Sequence, residues 1–308
     1  MQYDAYVYYW PAEGAQVPDR YKPYKPKVAT SIDGGAGNVI IAAESLTWVL
    51  YLKEFKAMRK VIWWLSIDNY YYALPKYYSF SKMSTIDYIK YFIEDYKTSL
   101  KRLVGINIEF NIYSKKKQQI DLHLAQSVYA QEYLINKGFD SVVFLSEYLD
   151  KNYIQKSASY ENASKNDVVL YNPAKGYEVS KKLIERLPQV KFIPLKGFNS
   201  DQLCDLLGTS KVYIDFGYHP GKDRFPREAV VMGCCILTNK KGSAGYYEDI
   251  PIKDSYKFDD AQIDSIAEKI LDLFKNYDTA KHDFDAYREI IVTDEEKMKR
   301  DIQVAFNR

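Results

Sequence analysis

Residues 167–176, DVVLYNPAKG, join a short apolar run to a Pro-Ala-Lys-Gly turn. An uninterrupted run of this length, bounded by turn residues, reads as a strand buried on both faces. A helix then runs to about Leu187, and the unit recurs downstream. VKFIP (190–194) predicts a strand, Leu195-Lys-Gly-Phe198 a turn, and Asn199 or Ser200 the cap of a helix to about Leu207. KVYID (211–215) leads into the loop Phe216–Arg224 and a helix over 226–233, with Pro226 at an N1-like position. CILT (235–238) runs into Lys240-Lys-Gly-Ser-Ala-Gly245, and helices over 260–276 and 282–306 follow. Strands alternating with helices at this spacing predict an α/β fold with a parallel, doubly wound sheet.

Working back from residue 167, the segment 150–166 is polar and reads as a linker. Upstream the alternation resumes. Residues 119–125 and 142–145 predict strands, and Ser127 caps a helix to Lys137 with Gly138 just beyond it. Strands are also expected at 5–10, 39–43 and 61–65, with helices over 45–58 and 85–102. Two α/β halves around a linker predict two lobes with a cleft between them. The chain has 308 residues, and at about 150 residues per domain that length agrees.

Lys+Arg is 43 against Asp+Glu 41, a net charge of +2, which argues against a nucleic-acid binder. Three cysteines, Cys204, Cys234 and Cys235, form neither a disulfide framework nor a zinc spacing, and suit a reducing cytoplasm. The N-terminal MQYDAYVYYW lacks a charged start and apolar core, so no signal peptide is expected. Aromatic residues make up 16% of the chain, 30 of them tyrosine. Lys53, Lys56, Arg59 and Lys60 stand near Trp48, Tyr51, Trp63, Trp64 and the tyrosines of 70–78. This mixture suits a lipid interface, while a solvated basic helix face beside a buried strand is the plainer reading.

In open α/β sheets, ligands bind beyond the carboxyl ends of the strands. Lys175, the group His219, Lys222, Asp223, Arg224 and Arg227, and the small residues Gly242, Ser243 and Ala244 all follow strand ends. Glycine-rich turns at helix starts attract phosphate, and Lys and Arg add charge, so these loops predict a diphosphate site. Glu228, in the first turn of a helix, is suited either to the helix dipole or to the two hydroxyls of a ribose. In the first half, Gly35, Gly37 and Asn38 form a glycine-rich loop, and Glu44 and Asp68 fall at strand ends. They are candidate acceptor contacts or a base. Gly35-Ala-Gly37 begins a GxGxxG-like string, but its third position is Ile40 and it precedes a strand, so a nicotinamide site is not supported.

The segment from Val168 to Phe258 resembles the donor domain of GT-B glycosyltransferases, especially the group 1, family-4-like enzymes of bacterial surface-polysaccharide synthesis. The resemblance rests on Lys175-Gly176, on Lys196-Gly197-Phe198, on Arg227-Glu-Ala-Val-Val-Met-Gly-Cys-Cys-Ile-Leu237 and on Gly242-Ser-Ala-Gly245. It implies two Rossmann-like domains, 1–160 on the acceptor side and 161–280 for the nucleotide sugar, with a helix over 281–308 packing back on the first. It also implies a cytoplasmic transferase, free or at the inner face of the membrane, that moves a sugar from a UDP- or GDP-sugar to a glycan or polyprenyl-linked acceptor, without a metal or other cofactor. Lys175, Arg224 and Glu228 would act on the leaving diphosphate and the ribose. Asn172, Gly176, Lys196, Gly197, Phe198, His219, Asp223, Gly242, Ser243 and Ala244 would bind the donor. The family usually carries two glutamates separated by seven residues, and the first position is Pro220 here. Contact with the donor sugar therefore falls to His219, Asp223 or Arg224. A carbohydrate- or partner-binding protein that keeps the fold without catalysis is the alternative.

Overall fold

A computed structural model describes residues 3–9, 16–51, 55–73, 89, 93, 96 and 120–307. In chain order, β1 (Val39–Ala43), β2 (Arg59–Trp64), α1 (Ile67–Ala73), β3 (Leu122–Ala125), α2 (Val128–Asn136), β4 (Val142–Phe144) and α3 (Lys151–Ser157) come first. Then follow β5 (Asn166–Tyr171), α4 (Tyr177–Arg186), β6 (Lys191–Pro194), α5 (Ser200–Thr209), β7 (Ser210–Asp215), α6 (Arg224–Val231), β8 (Cys235–Thr238), α7 (Ile263–Lys275), a single turn Tyr277–Ala280, and α8 (Asp285–Phe306). The strands build two parallel four-stranded sheets, ordered β1–β2–β3–β4 and β6–β5–β7–β8. The chain divides into two compact units, Met1–Ile62 with Tyr70–His123, and Trp63–Asn69 with Leu124–Arg308.

In the second unit, parallel register aligns Phe192, Val169, Val212 and Cys235 across the sheet, then Ile193, Leu170, Tyr213 and Ile236. One step on, Pro194, Tyr171, Ile214 and Leu237 are level, so the loops after all four strands leave from one edge. Ala229 and Val230 of α6 and Ile266, Ile270 and Leu273 of α7 pack into the same core. Each fully buried aliphatic side chain contributes about 1.5–3 kcal/mol.

Helix ends follow the residues predicted to cap them. Ser127 Oγ accepts from Ala130 N at 3.1 Å. Asn199 and Gln202 form a reciprocal capping box, at 2.9 Å and 3.0 Å. The ammonium of Lys165 donates to the carbonyls of Leu207, Gly208, Ser210 and Met232, at 2.8–3.4 Å. It thereby satisfies carbonyl groups at the ends of α5 and α6 that the helices leave unpaired.

Several expectations change. Residues 150–166 are not all linker, because α3 forms there with Asp150 as its N-cap and Tyr153 buried. The mostly polar composition hides a helix held by one buried aromatic ring and its cap. The strand expected over 5–10 is reduced to an isolated bridge, Val7 to Val28, since residues 3–7 are exposed and present no face to bury. The helix expected over 45–58 is a 3-10 segment, Glu44–Tyr51, kinked at Leu46. The β-branched Thr47 and Val49 favour an α-helix weakly. α6 begins at Arg224, which places Pro226 third in the helix, where its missing N–H still costs nothing. The helix expected over 85–102, apart from Ile89, Ile93 and Tyr96, lies outside the described residues, as do Trp10, Lys53 and residues 74–78.

Candidate functional site

The site grows from the turn after β5. Asn172 Oδ1 accepts from Ala174 N at 3.0 Å, which tightens the turn and presents Lys175. Gly176 caps α4 at φ +68°, pressed on the backbone of Phe216 and Gly217, and a Cβ there would collide with both. Gly217 in turn lies against the stem of Lys175. Two glycines thus let the turns after β5 and β7 touch. Beside them a pocket of about 370 Å³ opens, lined by Lys175, Tyr177, Gly217, Tyr218, Lys241 and Asp260 among others. The N-terminus of α4 borders it.

Lys175 Nζ is ion-paired with Asp223 and lies 3.5 Å from Asp215 Oδ2, and it donates to the Tyr218 carbonyl at 3.4 Å. Asp215, the last residue of β7, is held by Tyr213 Oη at 2.8 Å and Gly217 N at 3.2 Å. His219 is fully buried, with Nδ1 2.7 Å from Asp223 Oδ2 and Nε2 3.7 Å from Asp215 Oδ1. Burial alone would push the Asp223 carboxyl up, but His219 and Lys175 outweigh it and hold the group below its ordinary value. Asp215, His219 and Asp223 offer ligand atoms within 4.8 Å of one another, a spacing a metal ion could use. The Lys175 ammonium already lies among them.

Glu228 and Arg224 form a second pair, with Oε1 to Nε 3.7 Å. Glu228 is buried and its Oε2 has no hydrogen-bond partner. Burial pushes its carboxyl above the ordinary range, with Arg224 and Arg227 opposing. The Arg224 side chain is 63% exposed. In the loop after β8, Gly242 adopts φ +59°, Ser243 N donates to the His219 carbonyl at 2.8 Å, and Ser243 Oγ to the Gly221 carbonyl at 2.6 Å. Ala244 N donates to Lys241 O at 3.3 Å, so the amides of Ser243 and Ala244 are both engaged within the protein. Lys196, Gly197 and Phe198 lie exposed on the loop after β6, outside the pocket lining.

Of the acceptor-side candidates, Gly35, Gly37 and Asn38 form a turn in the first unit. Gly35 N donates to Asp33 Oδ1 at 3.1 Å, and Asn38 Nδ2 to the Asp33 carbonyl at 2.9 Å. Glu44 is buried, at the end of β1. Asp68 is in the second unit, with Oδ2 lacking a hydrogen-bond partner and its carboxyl raised by burial. It acts electrostatically on Tyr129, whose hydroxyl lies 2.7 Å from that of the pocket residue Tyr218.

Lys175, His219 and Asp223 are therefore together, and Arg224 and Glu228 are together. Sequence reasoning missed Asp215 and Tyr218. An acid closing an otherwise apolar strand, as in KVYID, was the available signal for the first. It also missed two long-range contacts, one on α6, the helix after this loop, and one at the start of α2. Arg227 pairs with Glu147, and Asp249 accepts from the amides of Val128 at 2.8 Å and Tyr129 at 3.0 Å.

No protein-family model matches the sequence, and no curated protein matches it. Solved structures do. The chain is similar to Anabaena HepE in complex with UDP-glucose, at 15% identity and TM-score 0.56, over 92% of this chain and 88% of HepE. It is similar to a variant of S. aureus TarM in complex with fondaparinux, alpha-GlcNAc-glycerol and UDP, at 16% identity and TM-score 0.58, over 90% of this chain and 57% of TarM. It is also similar to the pneumococcal O-GlcNAc transferase GtfA in complex with UDP and GlcNAc, at 11% identity and TM-score 0.55, over 88% of this chain and 57% of GtfA. The chain thus spans little more than half the length of TarM and GtfA. All three are GT-B glycosyltransferases, and the chain has the GT-B fold.

Proposed function

We propose that this chain is a nucleotide-sugar-dependent glycosyltransferase whose donor binds at the C-terminal edge of the β5–β8 sheet. The observation that carries this reading is the convergence of Lys175, the N-terminus of α4 and an open pocket of about 370 Å³ at that edge. A cation beside a helix N-terminus suits a diphosphate. In this reading Lys175 holds the diphosphate, Glu228 the ribose, and Asp223 with His219 the donor sugar. The bond from the sugar's anomeric carbon to the diphosphate breaks, a bond to an acceptor hydroxyl oxygen forms, and that hydroxyl's proton passes to the departing diphosphate or to water. Lys175 and the exposed Arg224 stabilise the charge that gathers on the diphosphate. Removing one such stabiliser costs about 10²–10³ in rate. The Lys175 ammonium, beside Asp215 and Asp223, supplies positive charge for departure without a metal in this reading.

The acceptor side of this reading uses Gly35, Gly37, Asn38, Glu44 and Asp68, and the acceptor is a glycan or a polyprenyl-linked glycan of the cell surface. Among the described residues, no helix is long and apolar enough to cross a membrane. The domains of this reading are 1–160, 161–280 and a closing helix over 281–308.

The test is a thermal-shift screen with UDP, GDP and their sugars on the native chain, Lys175→Ala and Glu228→Ala. A ligand at 100 times its dissociation constant stabilises by about 2.7 kcal/mol. A shift with one nucleotide that is lost in both variants supports the reading, and no shift with any nucleotide overturns it. A second reading, a glycan binder without catalysis, is favoured by one observation: Asp223 and Asp215 already meet the charge of Lys175. Turnover of the bound donor, by transfer or hydrolysis, decides against it.

A further inference from the structure

The loop that carries His219 and Asp223 has little freedom. Ile67 N donates to the Pro220 carbonyl at 3.3 Å. Gly221 lies so close to the Leu65 carbonyl that a Cβ would collide with it. Between Gly221 and Asp223 sits Lys222, whose polar atoms are all engaged. Its N–H donates to Gln126 Oε1 at 3.1 Å, and its carbonyl accepts from Arg227 Nη2 at 3.2 Å. Its ammonium, buried with the rest of the side chain, donates to Ser146 Oγ at 3.0 Å and to Asp294 at 3.0 Å and 3.3 Å. Asp294, on α8, is 1% exposed.

A buried ion pair of this kind adds little net stability over a well-packed apolar pair, so stability is a weak reason for its presence. Its geometry is specific. The ammonium ties the residue next to Asp223 to two other segments, at Ser146 and at Asp294 on α8, and Asp223 is the carboxylate that Lys175 and His219 share. Lys222 is too deeply buried to touch a ligand in the pocket, so it acts through its neighbour.

We propose that Lys222 and Asp294 are a positioning pair that sets Asp223, and through it Lys175 and His219, for the nucleotide-sugar donor, an inference that rests on the donor-site reading above. Side chains that hold a binding group determine its geometry as much as the group itself does.

The test compares native chain, Lys222→Met, Asp294→Leu and the double variant Lys222→Met/Asp294→Leu. Melting temperature is read beside affinity for UDP and GDP and their sugars, by calorimetry. Each single variant leaves a buried charge unpaired and melts lower, whereas the double variant melts near the native chain. The proposal expects the double variant to bind the donor about tenfold more weakly despite its restored fold, a loss of about 1.4 kcal/mol. Asp294→Asn, which keeps size and one acceptor, is the second variant should the double not fold, and it too is expected to bind more weakly. Lys253→Met, which breaks an exposed pair with Asp283, is expected to bind as the native chain does. Native affinity in a folded double variant, or in folded Asp294→Asn, overturns the positioning role and leaves the donor-site reading standing. A native chain that binds neither nucleotide overturns the reading and this inference with it.

Discussion

Gly242 lies directly against the carbonyl of His219, the two residues joined by a parallel bridge, and a Cβ on residue 242 would collide with that oxygen. Its φ of +59° with ψ −135° is a conformation close to glycine-only. Gly242→Ala is therefore expected to cost about 2–4 kcal/mol, from backbone strain and overpacking together. Urea unfolding checks this, with Gly37→Ala as a control. A Cβ at Gly37 would meet nothing within 4 Å, and its cost should stay below about 1 kcal/mol.

Glu228 is expected to trade stability for binding. Burial raises its folded-state carboxyl above the ordinary 4.5. The folded chain therefore holds that proton more tightly, and stability falls as pH rises from 4.5 through the raised value. Glu228→Gln removes this penalty. The variant should melt higher than the native chain at pH 7 and show a smaller stability decline above pH 4.5, while binding nucleotide about tenfold more weakly. Lower melting of Glu228→Gln at pH 7 would contradict the assignment.

Asp223 has the opposite sign. His219 and Lys175 outweigh burial and hold its carboxyl below the ordinary 3.8. Its contribution to stability is complete above 3.8 and is lost as pH falls through the lowered value. Asp223→Asn should flatten that acid limb in a pH series of melting curves. If Asp223 contacts the donor sugar as proposed, the substitution should also reduce the preference for a nucleotide sugar over the bare nucleotide by about tenfold or more.

Asp249 accepts the first two amides of α2, so Asp249→Ala strands two donors and should cost about 1–3 kcal/mol. Asp249→Asn keeps one acceptor and should cost less. Equal losses from the two substitutions would show that the carboxylate does not act as a cap.

The sheet β5–β8 was legible because each strand is a continuous apolar run ending in a turn signal, and buried parallel strands have that pattern. Lys175 was legible for the same reason, since a cation at a strand end before a helix is a local arrangement. The Asn199 and Ser127 caps are local too. Lys222 with Asp294 and Arg227 with Glu147 were not legible as pairs, because their partners lie 72 and 80 positions away and no local period relates them. α3 was missed because a short helix with one buried ring carries almost no amphipathic signal. In the loop after β7, the sequence left His219, Asp223 and Arg224 as equal candidates. The fold joins Asp223 to Lys175 and His219 to Asp223, and leaves Arg224 at the surface beside Glu228.

The partnership of Lys222 with Asp294 also bears on how the protein is made. A chain emerging from the ribosome presents β5 through β8 and the loop with Lys222 well before Asp294, which follows 72 residues later. Until then, closing that loop would bury an ammonium without its counter-charge, a penalty of several kcal/mol. The strands can assemble early, but the pocket-bearing loop takes its final shape only once α8 has been synthesised. Closure of that loop and completion of α8 are thereby linked during translation.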